Sequence, residues 1–259
     1  MGSNTFEETL DLILDAGQTM LENGGEVFRA QQTMEIMARS LHLQEFHVYV
    51  LTNGIFASAR PDGGESRSMV RHVPVVSIHL GRVEAVNELS RELAGGRLAL
   101  PDARKKLEDA RSIGSTPPRA EQLACVVGSA CFAFLFGGGP VEMLVAAVAG
   151  FWESVICQQF GKRRINRIFT DIVAACLGTL WALGIRVFVP VLDVNTATIG
   201  ALMVLTPGVA LTMGIRDIIN ADYLSGAIRL LDAVLIAGSI ACGVVLAWLA
   251  GRGLGAIVW

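Results

Sequence analysis

Charge is scarce in this chain. Only 17% of its 259 residues are Asp, Glu, Lys or Arg, whereas a soluble domain carries about 25%. The shortage is local. Charges recur every few residues from Met1 to about Glu121 and then retreat into short clusters from Leu123 onward. The net charge of −3 is uninformative by itself, but no basic stretch is long enough to suggest nucleic acid and no basic–aromatic pattern repeats. The first ten residues hold Glu7 and Glu8 and no basic residue, so they are not read as a secretory signal, and insertion is left to later hydrophobic segments. None of the five cysteines (Cys125, Cys131, Cys157, Cys176, Cys242) stands in C-x-x-C spacing. They lie in or beside apolar runs and read as small hydrophobes. P-loop, G-x-S-x-G, H-E-x-x-H and nucleotide fingerprints are all missing. His42, His47, His72 and His79 have no metal-ligand spacing and read as surface or structural residues. These absences predict a protein that is not an enzyme and carries no cofactor and no metal.

Hydrophobic residues are plentiful, at 52%, and mean hydropathy is +0.51. The composition steps near Thr116-Pro117-Pro118, which divides the chain into a soluble part, 1–118, and a membrane part, 119–259. A membrane helix needs roughly 20 mostly apolar residues. Five segments meet or approach this, at about 121–136, 141–158, 168–189, 196–213 and 230–250. The first two are joined by Gly137-Gly138-Gly139-Pro140, a turn signal that makes them a helical hairpin. The fold class expected is therefore an α-helical membrane protein, with about five transmembrane helices after a small soluble α+β domain.

Loop charges give the orientation. Arg119, the cluster Lys162, Arg163, Arg164 and Arg167, and then Arg216 and Arg229 fall on one side if there are five spans, while Arg186 and Arg252 fall on the other. The positive-inside rule places the larger set, and with it the N-terminal domain, in the cytoplasm. Small residues recur at four-residue spacing: Ala120, Ala124 and Gly128; Ala146 and Gly150; Gly238 and Cys242. Such spacing lets helix backbones approach closely. Glu142, Ala146, Ala149, Gly150 and Glu153 share one helical face, which should meet other helices or a wet cavity rather than lipid.

Segment 196–213 contains Thr206-Pro207-Gly208. Pro207 removes a backbone donor, which leaves the carbonyl of Met203 unpaired. Transporters use such breaks to expose backbone polar groups to substrate, and an ordinary proline kink is the other reading. Glu153, Asp171, Arg216, Asp217, Asp222, Arg229 and Asp232 cluster at the cytoplasmic helix ends, either as ion pairs that hold the fold or as an inner gate. Glu153, Asp171 and Asp232 are the candidate proton or gate carboxyls.

In the soluble part, helical periodicity covers Phe6 to Asn23 and Glu26 to Leu41, broken by Gly24-Gly25. His47 to Ala59 reads as one strand and Arg67 to Ser77 as a second, with a turn at Pro61-Asp62-Gly63-Gly64. His79 to Leu93 and Asp102 to Ser112 read as helices. The order predicted is ααββαα.

Several strings resemble the threonine/serine exporter (ThrE) family. They are Gly17-x-x-x-Leu21-x-x-Gly24-Gly25-Glu26-Val27-x-Arg29, the strand motif Thr52-Asn53-Gly54-Ile55, and Thr206-Pro207-Gly208 followed by Leu211-Thr212, Ile215-Arg216-Asp217, Asp222-Tyr223-Leu224-Ser225-Gly226 and Arg229. One position departs: the family pattern has Gly before Asp-x-x-Ser-Gly, and this chain has Ala221. Long members fuse this unit to a second, smaller membrane unit. A chain that stops near Trp259 looks like the split version, the YjjP-like large subunit. The resemblance then implies a separate small membrane subunit as partner, an oligomer in the inner membrane lipid bilayer, and export of threonine and serine or of a succinate-like dicarboxylate. It places Thr206, Pro207, Gly208, Thr212, Arg216, Asp217, Asp222 and Arg229 on the substrate path, and Glu26, Arg29 and Thr52 in the soluble-domain motif. An Arg guanidinium suits a substrate carboxylate, so Arg216 or Arg229 is a candidate for it; a pair that only ties two helix ends is the alternative. Two function classes stay open: a secondary exporter, and a non-transporting scaffold or sensor whose cytoplasmic domain recruits a partner.

Overall fold

The computed structural model describes residues 3–61, 63–74 and 78–253. The chain divides into two units. One comprises 1–115 with 212–229, and the other 116–211 with 230–259.

In the first unit, α1 (Ser3–Glu22) is followed by α2 (Val27–Ser40), β1 (Gln44–Leu51), β2 (Gly54–Arg60), β3 (Arg67–His72), α3 (Leu80–Ala94) and α4 (Leu100–Ser112). The region expected to be one strand is a hairpin. Leu51 pairs with Gly54 across Thr52-Asn53, and β2 pairs with β3 from Gly54↔His72 to Ala59↔Arg67. The order is therefore ααβββαα. Val75, Val76 and Ser77 of the expected second strand, and Asp62 of the expected turn, lie outside the described residues. Helix α1 packs on α2, α3, α4 and β2. Its Ile13, Leu14 and Met20 are completely buried with Met34, Met37 and Ile55. The hydroxyls of Thr9 and Thr19 on this buried helix donate to the carbonyls of Thr5 and Asp15 one turn back, which removes the cost of burying them.

Six helix ends share one device. After α1, Gly24 takes φ +82°, while the Gly25 amide donates to Met20 O at 2.7 Å and the Gly24 amide to Leu21 O at 3.1 Å. This is the left-handed cap that closes many helices. The same pair of bonds recurs after five more helices. Gly96 and Gly137 supply the left-handed residue after α3 and α5, but His42, Arg164 and Ala221 supply it after α2, α6 and α9, at φ +56°, +54° and +64°.

The second unit is helical: α5 (Pro118–Leu135), α6 (Pro140–Lys162), α7 (Arg167–Phe188) and α8 (Val194–Leu202), the start of α9 (Gly208–Ile219), and α10 (Tyr223–Gly253) from Leu230 onward. Three helices, α6, α7 and α10, are long and apolar enough to cross a membrane. Segment 196–213 is not one helix: α8 has 9 residues and α9 has 12, or roughly 14 and 18 Å against a hydrocarbon core of about 30 Å. Helix α5 has 18 residues but is not among the three apolar helices. Large apolar side chains such as Phe134, Leu144, Trp152, Val234 and Leu246 point outward, as they do where lipid is the solvent. Small residues bring the helices together. A Cβ at Gly150 would stand 2.2 Å from Ser129 Oγ on α5, one at Gly200 2.6 Å from Ala133 Cα on α5, and one at Gly243 2.4 Å from Ile172 O on α7. Gly238, expected in such a role, has open space around it.

Candidate functional site

The face of α6 predicted to avoid lipid does so. Ala146, Ala149, Gly150 and Glu153 are buried, and Glu142 is half-buried. The two carboxyls on it have different tasks. Glu142 accepts from the Gly139 amide at 2.9 Å and from the Asp193 amide at 3.0 Å, so it ties the start of α6 to the α7–α8 turn. Glu153 is 1% exposed and neither of its oxygens has a hydrogen-bond partner. Room for it comes from α7: a Cβ at Gly178 would lie 2.4 Å from Glu153 Oε1.

Glu153 lines a cavity of about 320 Å³ within the helical unit. Asp171 lines it too, 4% exposed, with Arg167 one turn earlier at 3.7 Å. Thr170 and Ser154 add hydroxyls, Cys125 and Cys157 add thiols, and Glu121 stands at the rim. The chain between α8 and α9 closes another side through Val204 and Leu205.

The helix break expected at Thr206-Pro207-Gly208 is present, but its chemistry differs from expectation. The carbonyl of Met203 is not left unpaired: Thr206 turns back on it, donating from Oγ1 at 2.6 Å and from its amide at 3.3 Å. The break meets the cavity through Val204 and Leu205, while Thr206 and Gly208 are exposed and Pro207 is half-buried.

A second charged group lies in the first unit. Arg216 donates to Glu26 at 2.6 Å, and Arg229 stands 3.0 Å from Asp217 Oδ2. Arg229 also reaches Gly25 O and Met213 Sδ, both at 3.3 Å. Both arginines assigned to a substrate carboxylate therefore already hold protein groups. Asp222 is half-buried just before α10, Thr212 and Asp232 are exposed, Arg29 is exposed on α2, and Thr52 is half-buried in the β1–β2 turn. None of these four side chains lines the cavity, nor does Asp222.

The glycines of the opening signature now have physical roles. A Cβ at Gly17 would meet Met34 Sδ at 2.2 Å, and one at Gly25 would meet Met20 O at 2.8 Å. Glu26 faces Arg216. A model of ThrE, described as "Putative threonine/serine exporter", matches residues 11–250. The chain belongs to the ThrE family. Among curated proteins, this ThrE chain is 23% identical over 251 residues to an uncharacterized protein of Schizosaccharomyces pombe, covering 93% of the chain and 30% of that protein. It is also 23% identical over 246 residues to a "Probable threonine/serine exporter" of Mycobacterium tuberculosis, covering 92% of the chain and 45% of that protein. The chain thus spans less than half the length of these relatives. No solved structure matches it. ThrE membership and the three long apolar helices make it a membrane protein of an exporter family.

Several cavity residues escaped the sequence reading, among them Ser154, Thr170 and the thiols Cys125 and Cys157, and so did Gly178, which leaves room for Glu153. A signal for Gly178 existed. Asp171, Ala174, Ala175, Gly178 and Ala182 recur at three- and four-residue spacing, and all five are buried, which is the pattern of a helix face turned toward protein.

Proposed function

We propose that this chain is a subunit of a secondary exporter of small polar metabolites, and that the carboxylate-lined cavity of the helical unit is its transport site. The observation that carries this is Glu153, a fully buried carboxyl without a partner, facing a cavity inside a bundle of apolar helices. Ionisable groups in such a place are costly and mark ion or substrate pathways. Glu153 and Asp171 serve as the coupling carboxyls. The α8–α9 break supplies the movable wall, since an interrupted helix can change its bend without unfolding.

In this reading the membrane is crossed five times, by α5, α6, α7, α8 with α9, and α10. The N-terminal domain, 1–118, lies in the cytoplasm of a cell with this protein in its inner membrane, as the basic cluster Lys162 to Arg167 suggests. A separate small membrane subunit completes the exporter. Threonine and serine are the first substrates to test, because a relative carries that name; a dicarboxylate such as succinate is the competing class.

Proteoliposomes loaded with labelled serine, threonine or succinate, made with and without a small partner subunit, test the reading. Gradient-driven efflux of one of them is expected, with loss of at least ten-fold in Glu153→Gln. Absence of specific efflux under every condition would remove the exporter assignment. Reporter fusions after Ser112 and after Trp259 should fall on opposite sides of the membrane; a common side excludes five spans.

A further inference from the structure

Acceptors outnumber donors in the cavity of the helical unit, where the donors are the Ser154 hydroxyl, the Cys125 and Cys157 thiols and the Arg167 guanidinium. Both oxygens of Glu153 and Oδ2 of Asp171 are buried without a hydrogen-bond partner. Thr170 donates its hydroxyl proton to Asn166 O at 3.1 Å, so toward the cavity it can only accept. Three carboxyls line the space, from Glu121, Glu153 and Asp171, against the single guanidinium of Arg167. That guanidinium is largely exposed and stands 3.7 Å from Asp171, beyond hydrogen-bond distance. A site of this kind calls for a ligand that brings positive charge and several N–H donors. A dicarboxylate would add acceptors and like charge to carboxyls already in a poorly solvated space, where Coulomb repulsion is several-fold stronger than in water.

We infer that the cavity binds a primary ammonium group, with Glu153 as its receptor and Asp171 and Thr170 as flanking acceptors, and that it rejects dicarboxylates. An ammonium has three donors on one nitrogen and strong charge complementarity to a carboxylate. A divalent metal fits less well: among the described residues no three His, Cys, Asp or Glu side chains stand close enough to hold one. Gly178 belongs to the design, because any Cβ there would push the receptor carboxyl aside. Recognition centres on the amine, so a ligand carboxylate is dispensable. The consequence for export rests on the transport reading above; the binding itself does not.

Binding to the purified full-length chain in nanodiscs separates the two. The probes are L-serine, ethanolamine and succinate, with sodium chloride as the inorganic control. The readouts are thermal shift and the rate of alkylation of Cys125 and Cys157, resolved by peptide mass spectrometry. Serine and ethanolamine should raise the melting temperature and slow alkylation of these two cavity thiols, and succinate should do neither. Glu153→Gln should weaken amine binding about ten-fold or more, the scale of one lost charged hydrogen bond. Glu153→Asp, which keeps the charge, should retain part of it even if the Gln variant folds poorly. Protection by succinate, equal protection by sodium chloride, or no protection by either amine would each overturn the assignment. Amine binding without efflux in the proteoliposomes would leave this site standing and remove the exporter reading instead.

Discussion

The two units both bury carboxyls, and they treat them in opposite ways. In the first unit, Asp217 is 2% exposed and has Arg229 at 3.0 Å, while Glu26 has Arg216 at 2.6 Å. In the helical unit, Glu153 is at least as deeply buried and has no partner. A buried pair contributes little net stability, because desolvation opposes attraction, but removing one member leaves the other charge stranded. A buried carboxyl with no partner has nothing to strand. The first arrangement is what a chain uses to fix two segments far apart in sequence. The second weakens the fold locally and persists where a ligand or proton supplies what is missing.

Substitution should separate these cases clearly. Asp217→Ala leaves Arg229 uncompensated at a largely buried site and should destabilise the first unit by about 3 kcal/mol. Glu153→Gln keeps volume and removes an unpartnered acid, so its unfolding midpoint should equal or exceed that of the parent. Thermal unfolding of both variants in the same detergent gives the answer. Equal losses in the two would erase the distinction and make Glu153 a structural residue.

The glycines sharpen the comparison one step down. Gly200→Ala forces a Cβ to within 2.6 Å of Ala133 Cα and within 2.7 Å of its backbone nitrogen. Two helix backbones must separate, at about 2 kcal/mol. Gly178→Ala meets the far end of a flexible side chain, Glu153 Oε1, which can swing away. Stability should fall by less than about 1 kcal/mol, while ligand binding and efflux drop as they do in Glu153→Gln. A Gly178→Ala protein that transports normally would show that the carboxyl need not sit where α7 leaves room for it.

How much of this was visible in the sequence depends on the range of the interaction. The wet face of α6 was legible, since residues 142, 146, 149, 150 and 153 repeat with the helix period. So was the break at Pro207, because proline ends a ladder locally. The cap on Met203 O was missed, since it depends on the hydroxyl of Thr206 choosing to turn back. The β1–β2 hairpin was read as one strand because apolar and β-branched residues run through it on both sides of Thr52-Asn53. Nothing local announces that Glu26 meets Arg216, 190 positions away. The charge signs near Arg216 to Arg229 suggested a cluster, but not that its acids would include one from the α1–α2 turn.

Helix caps allow a smaller test on the first unit. Ala221 follows α9 at φ +64°, where its Cβ is strained by roughly 1 kcal/mol. The family's Gly at this position fits the geometry that Gly24, Gly96 and Gly137 already occupy without strain. Ala221→Gly should therefore stabilise the chain, by up to about 1 kcal/mol after the extra freedom of glycine in the unfolded state is counted. An unfolding midpoint below that of the parent would mean that the Ala221 methyl makes a contact worth more than its strain.

The smallest effect is expected at Arg216, and it bears directly on where substrate binds. Arg216 is more than half exposed although its partner Glu26 is not, and such pairs contribute about 0.2–1 kcal/mol. Lysine can reach the same carboxylate with one point charge, so Arg216→Lys should cost a few tenths of a kcal/mol at most. Its efflux should show the same concentration dependence as the parent, because Glu26 rather than substrate occupies the guanidinium. Arg229→Lys differs: it gives up a guanidinium that reaches Asp217, Gly25 O and Met213 Sδ at once, and lysine cannot reproduce that spread. It should lose stability first and change substrate affinity only through that loss. If instead Arg216→Lys raised the half-saturating substrate concentration several-fold with stability unchanged, Arg216 would leave Glu26 during transport to take the substrate carboxylate. The charged group of the first unit would then belong to the substrate path, and the contrast between paired and unpaired carboxyls would describe two stages of one route.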